Sequence, residues 1–214
     1  MGKYTFDDLV EVANINQSIF KHFPGTKKGR RRLNPPTEDM LLTVMGMLQR
    51  VFPKDYRLVV LKWGYLALGK DNGFFGVCGD FFNKEDFKDL DKPLNVYYET
   101  RLARKSIGLP EDYIVIWGDA RKKNFGVIDT ETGKVLSYDR SKNNSYKVVS
   151  DSFIDYVFRE LILHRRANEI VYDTTFHWPE YLQDRIADDM LTLKEELDES
   201  DKLFDRYEEM LKNA

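Results

Sequence analysis

The chain of 214 residues is long enough for one sizeable core plus an appended element, which excludes a peptide that needs staples to fold. Hydrophobic residues at 42%, aromatics at 14% and charged residues at 32% supply enough apolar surface to offset ordering entropy, which excludes a disordered or fibrous chain. The 33 Lys and Arg against 36 Asp and Glu give a net charge of −3, so the whole molecule lacks the cationic excess that draws nucleic acid or anionic lipid.

The first predicted element is a helix carrying Phe6, Leu9, Val10, Val12, Ala13 and Phe20, closed by the breaker Phe23-Pro24-Gly25. Acidic residues stand where a signal peptide would carry its apolar run, Phe6 replaces the hydroxyl residue of a myristoylation signal, and no run approaches the roughly 18 apolar residues that span a bilayer. Five cations then crowd together: Lys27, Lys28, Arg30, Arg31 and Arg32. Pro35-Pro36 ends that segment, and Thr37 suits the N-cap of a helix with Glu38 and Asp39 in its first turn, where the helix dipole favours them. Leu41, Val44, Met45, Leu48 and Val51 form its expected buried face. Pro53 opens a further helix, residues 55–62, with Tyr56, Val59 and Val60 inward and Gly64 as its terminator.

From Gly64 to Val149 the period falls to two, the signature of an antiparallel sheet. Its clearest runs are residues 94–98, 113–117, 125–128 and 135–138. Between the last two lies Asp129-Thr130-Glu131-Thr132-Gly133-Lys134, whose glycine supplies the positive φ of a bulged hairpin loop. Asp151 or Ser152 then caps a helix bearing Phe153, Val157, Phe158, Leu161 and Ile162, and residues 163–176 are expected to connect it to the tail. Pro179 suits the first turn of a long helix over roughly residues 180–212. Along it, Leu182, Ile186, Met190, Leu193, Leu197, Phe204 and Leu211 lay one apolar stripe. Residues 178–214 hold twelve acidic and five basic side chains, net −7, which leaves +4 for the remainder of the −3 total.

The expected fold class is α+β: an antiparallel meander sheet with helices packed on it, plus a long C-terminal amphipathic helix. Three segments follow: an N-terminal helix and basic loop over residues 1–33, an α+β domain over 34–176, and an acidic helix over 177–214.

The segment from Pro36-Thr37-Glu38 through a helix to Pro53-Lys54-Asp55-Tyr56 resembles the Pro-x-Asp-Tyr opening of the SUKH superfamily. Leu109-Pro110-Glu111-Asp112-Tyr113-Ile114-Val115-Ile116, Phe125-Gly126-Val127-Ile128-Asp129-Thr130 and Gly133-Lys134-Val135-Leu136-Ser137-Tyr138-Asp139 are similar to its later half, in order. Val148-Val149-Ser150-Asp151-Ser152-Phe153-Ile154-Asp155-Tyr156 resembles the start of its last helix. The likeness covers about residues 34–163. Many members carry Asn-Gly after the second helix, where this chain has Trp63-Gly64. The resemblance implies a SUKH-like fold and a non-enzymatic, protein-binding role without cofactor or metal. Bacterial members are largely immunity proteins that neutralise toxins, often nucleases, and fungal relatives regulate cell-wall synthesis. The implied partner is therefore a cognate toxin or an endogenous protein. Its binding surface does not transfer residue by residue, because the shared motifs mark the fold.

His22, His164 and His177 include no pair at the i, i+4 spacing that presents two ligands from one helix. Asp119, Asp129 and Asp139 recur every ten residues, a spacing that suits either paired carboxylates of a metal-dependent hydrolase or strand-ending turns. The span from Gly126 to Gly133-Lys134 has six residues between its glycines and Val135 after the lysine, which a P-loop does not tolerate. Cys78 is the only cysteine; it leaves no disulfide or thiolate zinc site, reads as a small core residue among glycines that let backbone pass closely, and fits a reducing, cytoplasmic setting.

Two charged surfaces remain as candidate partner contacts. One is the basic cluster Lys27, Lys28, Arg30, Arg31 and Arg32, suited to phosphates or to an acidic protein patch. The other is the tail, where Asp188, Asp189, Glu195, Glu196, Asp198 and Glu199 could face a cationic protein such as a nuclease. The tail's apolar stripe can pack in cis, pair with a second copy as a homodimer, or be held out for a partner.

Overall fold

The computed structural model describes residues 2–16, 35–68, 72–77, 95–118, 124–139, 145–171 and 176–198. Two compact units make up the chain, Met1–Leu161 and Ile162–Ala214.

The first unit begins with α1, Phe6–Ile15, where Thr5 and Asp8 form a capping box: the Thr5 hydroxyl oxygen accepts from Asp8 N and the Asp8 carboxylate accepts from Thr5 N at 2.9 Å. Such reciprocal bonds satisfy donors that helix geometry orphans. Its expected member Phe20 lies outside the described residues. Thr37 caps α2, Glu38–Leu48, by accepting from Met40 N at 3.3 Å. Leu41, Val44, Met45 and Leu48 are buried as their spacing predicts. Val51 is 70% exposed, contrary to expectation, because Gln49 turns left-handed at φ 55° and ends the helix before Val51 can share its face. In α3, Lys54–Trp63, the residues Tyr56, Val59 and Val60 are buried, and the chain leaves the helix at Gly64. Trp63, the last residue of α3, packs edge-on against Phe6 of α1 at 5.8 Å.

A short hairpin follows, β1 (Leu66–Leu68) and β2 (Asn72–Phe74), with Leu66 opposite Phe74. Gly76 then passes so close to α3 that a Cβ there would collide with the Gly64 carbonyl oxygen. That carbonyl accepts from Val77 N at 3.0 Å, Phe75 N donates to Ile116 O at 2.6 Å, and Val96 N donates to Gly76 O at 3.1 Å. The glycine-bearing stretch is thus the seam between the first helices, the main sheet and the helix that comes next.

That helix, α4 (Val96–Ile107), replaces the strand expected over residues 94–98. Among the described residues of that stretch, only Asn95 makes a strand-like contact, a parallel bridge to Gly76. Asn95 Oδ1 accepts from Tyr97 N at 2.9 Å and starts the helix, and Gly108 ends it at φ 68°. Val96, Tyr97, Thr100 and Ala103 are buried, a helical spacing that outweighs the strand preference of a short Val-Tyr-Tyr run.

Four strands then form the antiparallel meander: β3 (Tyr113–Gly118), β4 (Asn124–Asp129), β5 (Val135–Asp139) and β6 (Ser145–Ser150), in that spatial order. Three of them are the expected runs. In the hairpin between β4 and β5, Gly133 has φ 76° and the Asp129 carboxylate accepts from Glu131 N and Thr132 N at 2.9 and 3.2 Å. Asp129 therefore holds a turn. Register slips at Val115/Trp117 and at Val135/Leu136 increase the local twist of the sheet. Helix α4 packs against β3, where Thr100 Oγ1 accepts from Val115 N at 3.0 Å.

Ser152 caps α5, Phe153–Val171, by accepting from Asp155 N at 3.1 Å. Phe153, Val157, Phe158, Leu161 and Ile162 are buried. The expected connector at 163–176 is helical as far as Val171, because nothing in that stretch breaks a helix: no glycine or proline intervenes before Pro179. The extended N-terminus is clasped to the start of α5, where the Asp155 carboxylate accepts from Lys3 N at 3.1 Å and Tyr4 N at 2.8 Å. Tyr4 stacks on Phe158 at 3.9 Å.

At the centre of this unit, Tyr56 meets Phe52 at 5.3 Å and Phe153 at 5.1 Å edge-on, and Phe153 meets Phe74 at 5.3 Å. These rings join α3, β2 and α5 through offset and edge contacts that aromatic quadrupoles favour.

In the second unit, Pro179 precedes one 3-10 turn, Glu180–Leu182, rather than sitting in the first turn of a single helix. It leads into α6, Gln183–Asp198. Leu182, Ile186 and Leu193 are buried, whereas Met190 of the expected stripe is 40% exposed. The expected continuation to residue 212, with Phe204 and Leu211, lies outside the described residues. No described helix is long and apolar enough to cross a membrane.

Candidate protein-binding surfaces

Of the residues singled out by charge, Asp188 is exposed on α6 and Asp189 is half-buried. Glu195, Glu196 and Asp198 belong to the same helix, and their side chains lie outside the described residues, as does Glu199. The basic cluster Lys27, Lys28, Arg30, Arg31 and Arg32 also lies outside them, together with Cys78, His22 and Asp119. His164 sits in α5 and His177 is exposed ahead of α6. Among the described residues, no three His, Cys, Asp or Glu side chains converge to hold a metal.

A surface that the charge count did not single out lies along α4. Tyr98, Arg101, Leu102, Arg104 and Lys105 line an open groove of about 590 Å³. On a helix, positions i, i+3, i+4 and i+7 share one face, so Tyr98, Arg101, Leu102 and Lys105 form a continuous stripe. The helix is held rigid from behind. Arg104 donates to Leu48 O at 3.2 Å and to Glu111 O at 2.7 Å, joining α4 to the end of α2. Arg50 reaches the same corner, 2.8 Å from the Asp112 carboxylate and 3.2 Å from that of Glu111. Burial lowers the Arg104 guanidinium below its usual range; Arg50 lowers it further, while Glu111 and Asp112 pull it back.

Arg101 is placed differently. Its guanidinium carbon lies 5.2 Å from the Tyr97 ring centre, and Nη1 donates to the Tyr97 hydroxyl at 3.0 Å. Tyr97 is itself buried, so a fixed ring orients an exposed cation. Arg101 is exposed, and a guanidinium carries further N–H donors in the fork that suits carboxylates and phosphates.

The profile of the family described as SMI1-KNR4 cell-wall, SUKH_5, matches residues 12–162. The chain belongs to the SUKH superfamily. No curated protein matches it. The SUKH match runs from α1 to the middle of α5 and includes the meander, the Tyr56 core and the α4 groove. Helix α6 lies beyond it. The SUKH fold therefore presents the basic groove, and the acidic helix is an addition to that fold.

Proposed function

We propose that the chain is a non-enzymatic, cytoplasmic protein-binding module that acts as an immunity protein, neutralising a cognate protein toxin by stoichiometric occlusion. The observation that carries this reading is SUKH membership over residues 12–162, since members of the superfamily act through protein contacts. The acidic tail supports it, with net −7 over residues 178–214. Such a surface complements the cationic groove of a nuclease, where charge steers encounter and buried aromatic groups supply affinity.

A second reading is favoured by the cell-wall description of the matching family: a regulatory or scaffold protein whose partner is an endogenous protein of wall synthesis. Affinity capture of the full chain from its native host, with mass spectrometry of what stays bound in stoichiometric amount, separates the two. A toxin domain supports immunity, a wall-synthesis protein supports regulation, and no stoichiometric partner overturns both. Reversing Asp188, Asp189, Glu195, Glu196, Asp198 and Glu199 to lysine is expected to weaken toxin binding and flatten its salt dependence. Unchanged binding would eliminate the tail as the contact.

A further inference from the structure

We propose that the groove along α4 is a second partner surface, one that receives an acidic protein segment with its carboxylates on Arg101 and Lys105 and an apolar side chain between Tyr98 and Leu102. The proposal rests on the protein-binding reading above and adds the chemistry of one docking surface. Four observations carry it.

The groove cations divide by what they touch. Arg104 is committed to backbone carbonyls, and its neighbours Glu111 and Asp112 are engaged by Arg50. Arg101 and Lys105 are exposed; Arg101 bonds to Tyr97, and among the described residues neither cation has a carboxylate partner. The two stand at i and i+4, where like charges repel along a helix. Cations in a last helical turn are favoured by the dipole, which accounts for Arg104 and Lys105. Arg101 lies outside that turn, so among the described residues its repulsion with Lys105 has no compensating carboxylate.

The site is also ordered before any partner arrives. The buried Tyr97 ring fixes the Arg101 guanidinium, which lowers the entropy that a flexible arginine loses on binding. Beside the cationic row, Tyr98 and Leu102 form a parallel i, i+4 row. This pairing of apolar and cationic rows suits a peptide, whose acidic and apolar side chains alternate. It suits a nucleic acid less, because phosphates need a longer basic track and the chain as a whole is net −3.

The test is fluorescence anisotropy on the purified full chain with a labelled peptide of alternating glutamate and tyrosine. Labelled oligothymidylate of matched charge and a lysine–tyrosine peptide serve as comparisons. The acidic peptide is expected to bind with an affinity that falls with salt, and Arg101→Glu with Lys105→Glu to weaken it at least tenfold. Both positions are exposed, so the double variant should keep the wild-type circular dichroism, with a melting temperature lowered only by loss of the Arg101–Tyr97 bond. It should also gain affinity for the lysine–tyrosine peptide, which a merely structural defect would not produce. Absence of saturable binding, or acidic-peptide affinity unmoved by the double reversal, overturns the proposal. So does oligothymidylate binding as tightly as the peptide and being lost in the same variant, which would make the groove a phosphate site. The titration requires no cognate partner, so its failure leaves the protein-binding reading standing, and that reading fails separately if affinity capture retains no stoichiometric partner.

Discussion

Replacing Tyr56 by phenylalanine tests why the Pro53-Lys54-Asp55-Tyr56 motif ends in tyrosine. Tyr56 is fully buried, and its hydroxyl donates to the Phe75 carbonyl at 2.5 Å. Phe75 N in turn donates to Ile116 O in β3. The hydroxyl thus anchors α3 to the strand segment that joins the main sheet. Phenylalanine keeps the ring contacts with Phe52 and Phe153 and removes the oxygen alone. The loss is the net hydrogen bond, ~1 kcal/mol, plus the cost of leaving a buried carbonyl unpaired, for an expected destabilisation of about 1–3 kcal/mol. With a urea slope of about 2 kcal/mol/M, the unfolding midpoint should fall by roughly 0.5–1.5 M. Tryptophan fluorescence in a Trp178→Phe background is the assay, because Trp63 and Trp117 then report from the unit that contains Tyr56. Tyr98→Phe, at a half-buried residue whose hydroxyl has no bond among the described residues, is the control and should stay within about 0.5 kcal/mol of wild type. A Tyr56→Phe midpoint equal to that of the control would refute the anchoring role.

Two further outcomes follow from local geometry. Gly76→Ala places a Cβ against the Gly64 carbonyl oxygen, and backbone cannot swing aside as a side chain can, so a loss of about 3 kcal/mol or more is expected in the same urea assay; a wild-type midpoint would show that the seam is looser than drawn. Burial raises the Glu160 carboxyl above its usual value, against the hydrogen bond from Tyr156 and the field of Arg159, which lower it. A raised folded value means that the stabilising contribution is present below the unfolded value, near pH 4.5, and is lost as pH rises through the folded one. Glu160→Gln keeps an acceptor for Tyr156 without the charge, so its midpoint should exceed wild type at pH 7 and match it near pH 4; a lower midpoint at pH 7 would contradict the desolvation argument.

The parts of the fold that were legible in the sequence are those where one local signal and one hydrophobic period agree. Thr37 before Leu41, Val44, Met45 and Leu48 marks α2, and Asp129 with Gly133 marks the hairpin between β4 and β5. Helix α4 was hidden because its signals compete. Val96-Tyr97-Tyr98 reads as strand over three residues, and the helical evidence lies further on, in Thr100, Ala103 and the terminator Gly108. Asn95 suits a turn and an N-cap equally well. Tertiary context decides between them: the bridge from Asn95 to Gly76 and the bond from Val115 N to Thr100 favour the helix that packs on β3.

The candidate surfaces show the same division between local and long-range information. Charge density along the chain points to Lys27–Arg32 and to the tail, because those cations and anions are adjacent in sequence. Around α4, by contrast, Arg101, Arg104 and Lys105 are accompanied by Glu99, Glu111 and Asp112, and the segment reads as charge-balanced. Folding removes that balance. Glu99 is buried in the helix, and Glu111 and Asp112 are met by Arg50, which is about 60 residues away in sequence. Among the described residues, what remains is a pair of cations with no carboxylate against them, and that pairing depends on where α2 ends. A change that displaced Arg50 would release Glu111 and Asp112 toward α4 and weaken the groove's positive field while leaving its lining residues unaltered. The cationic character of the α4 groove is therefore a property of the packing of α2 against α4 as much as of the residues that line it.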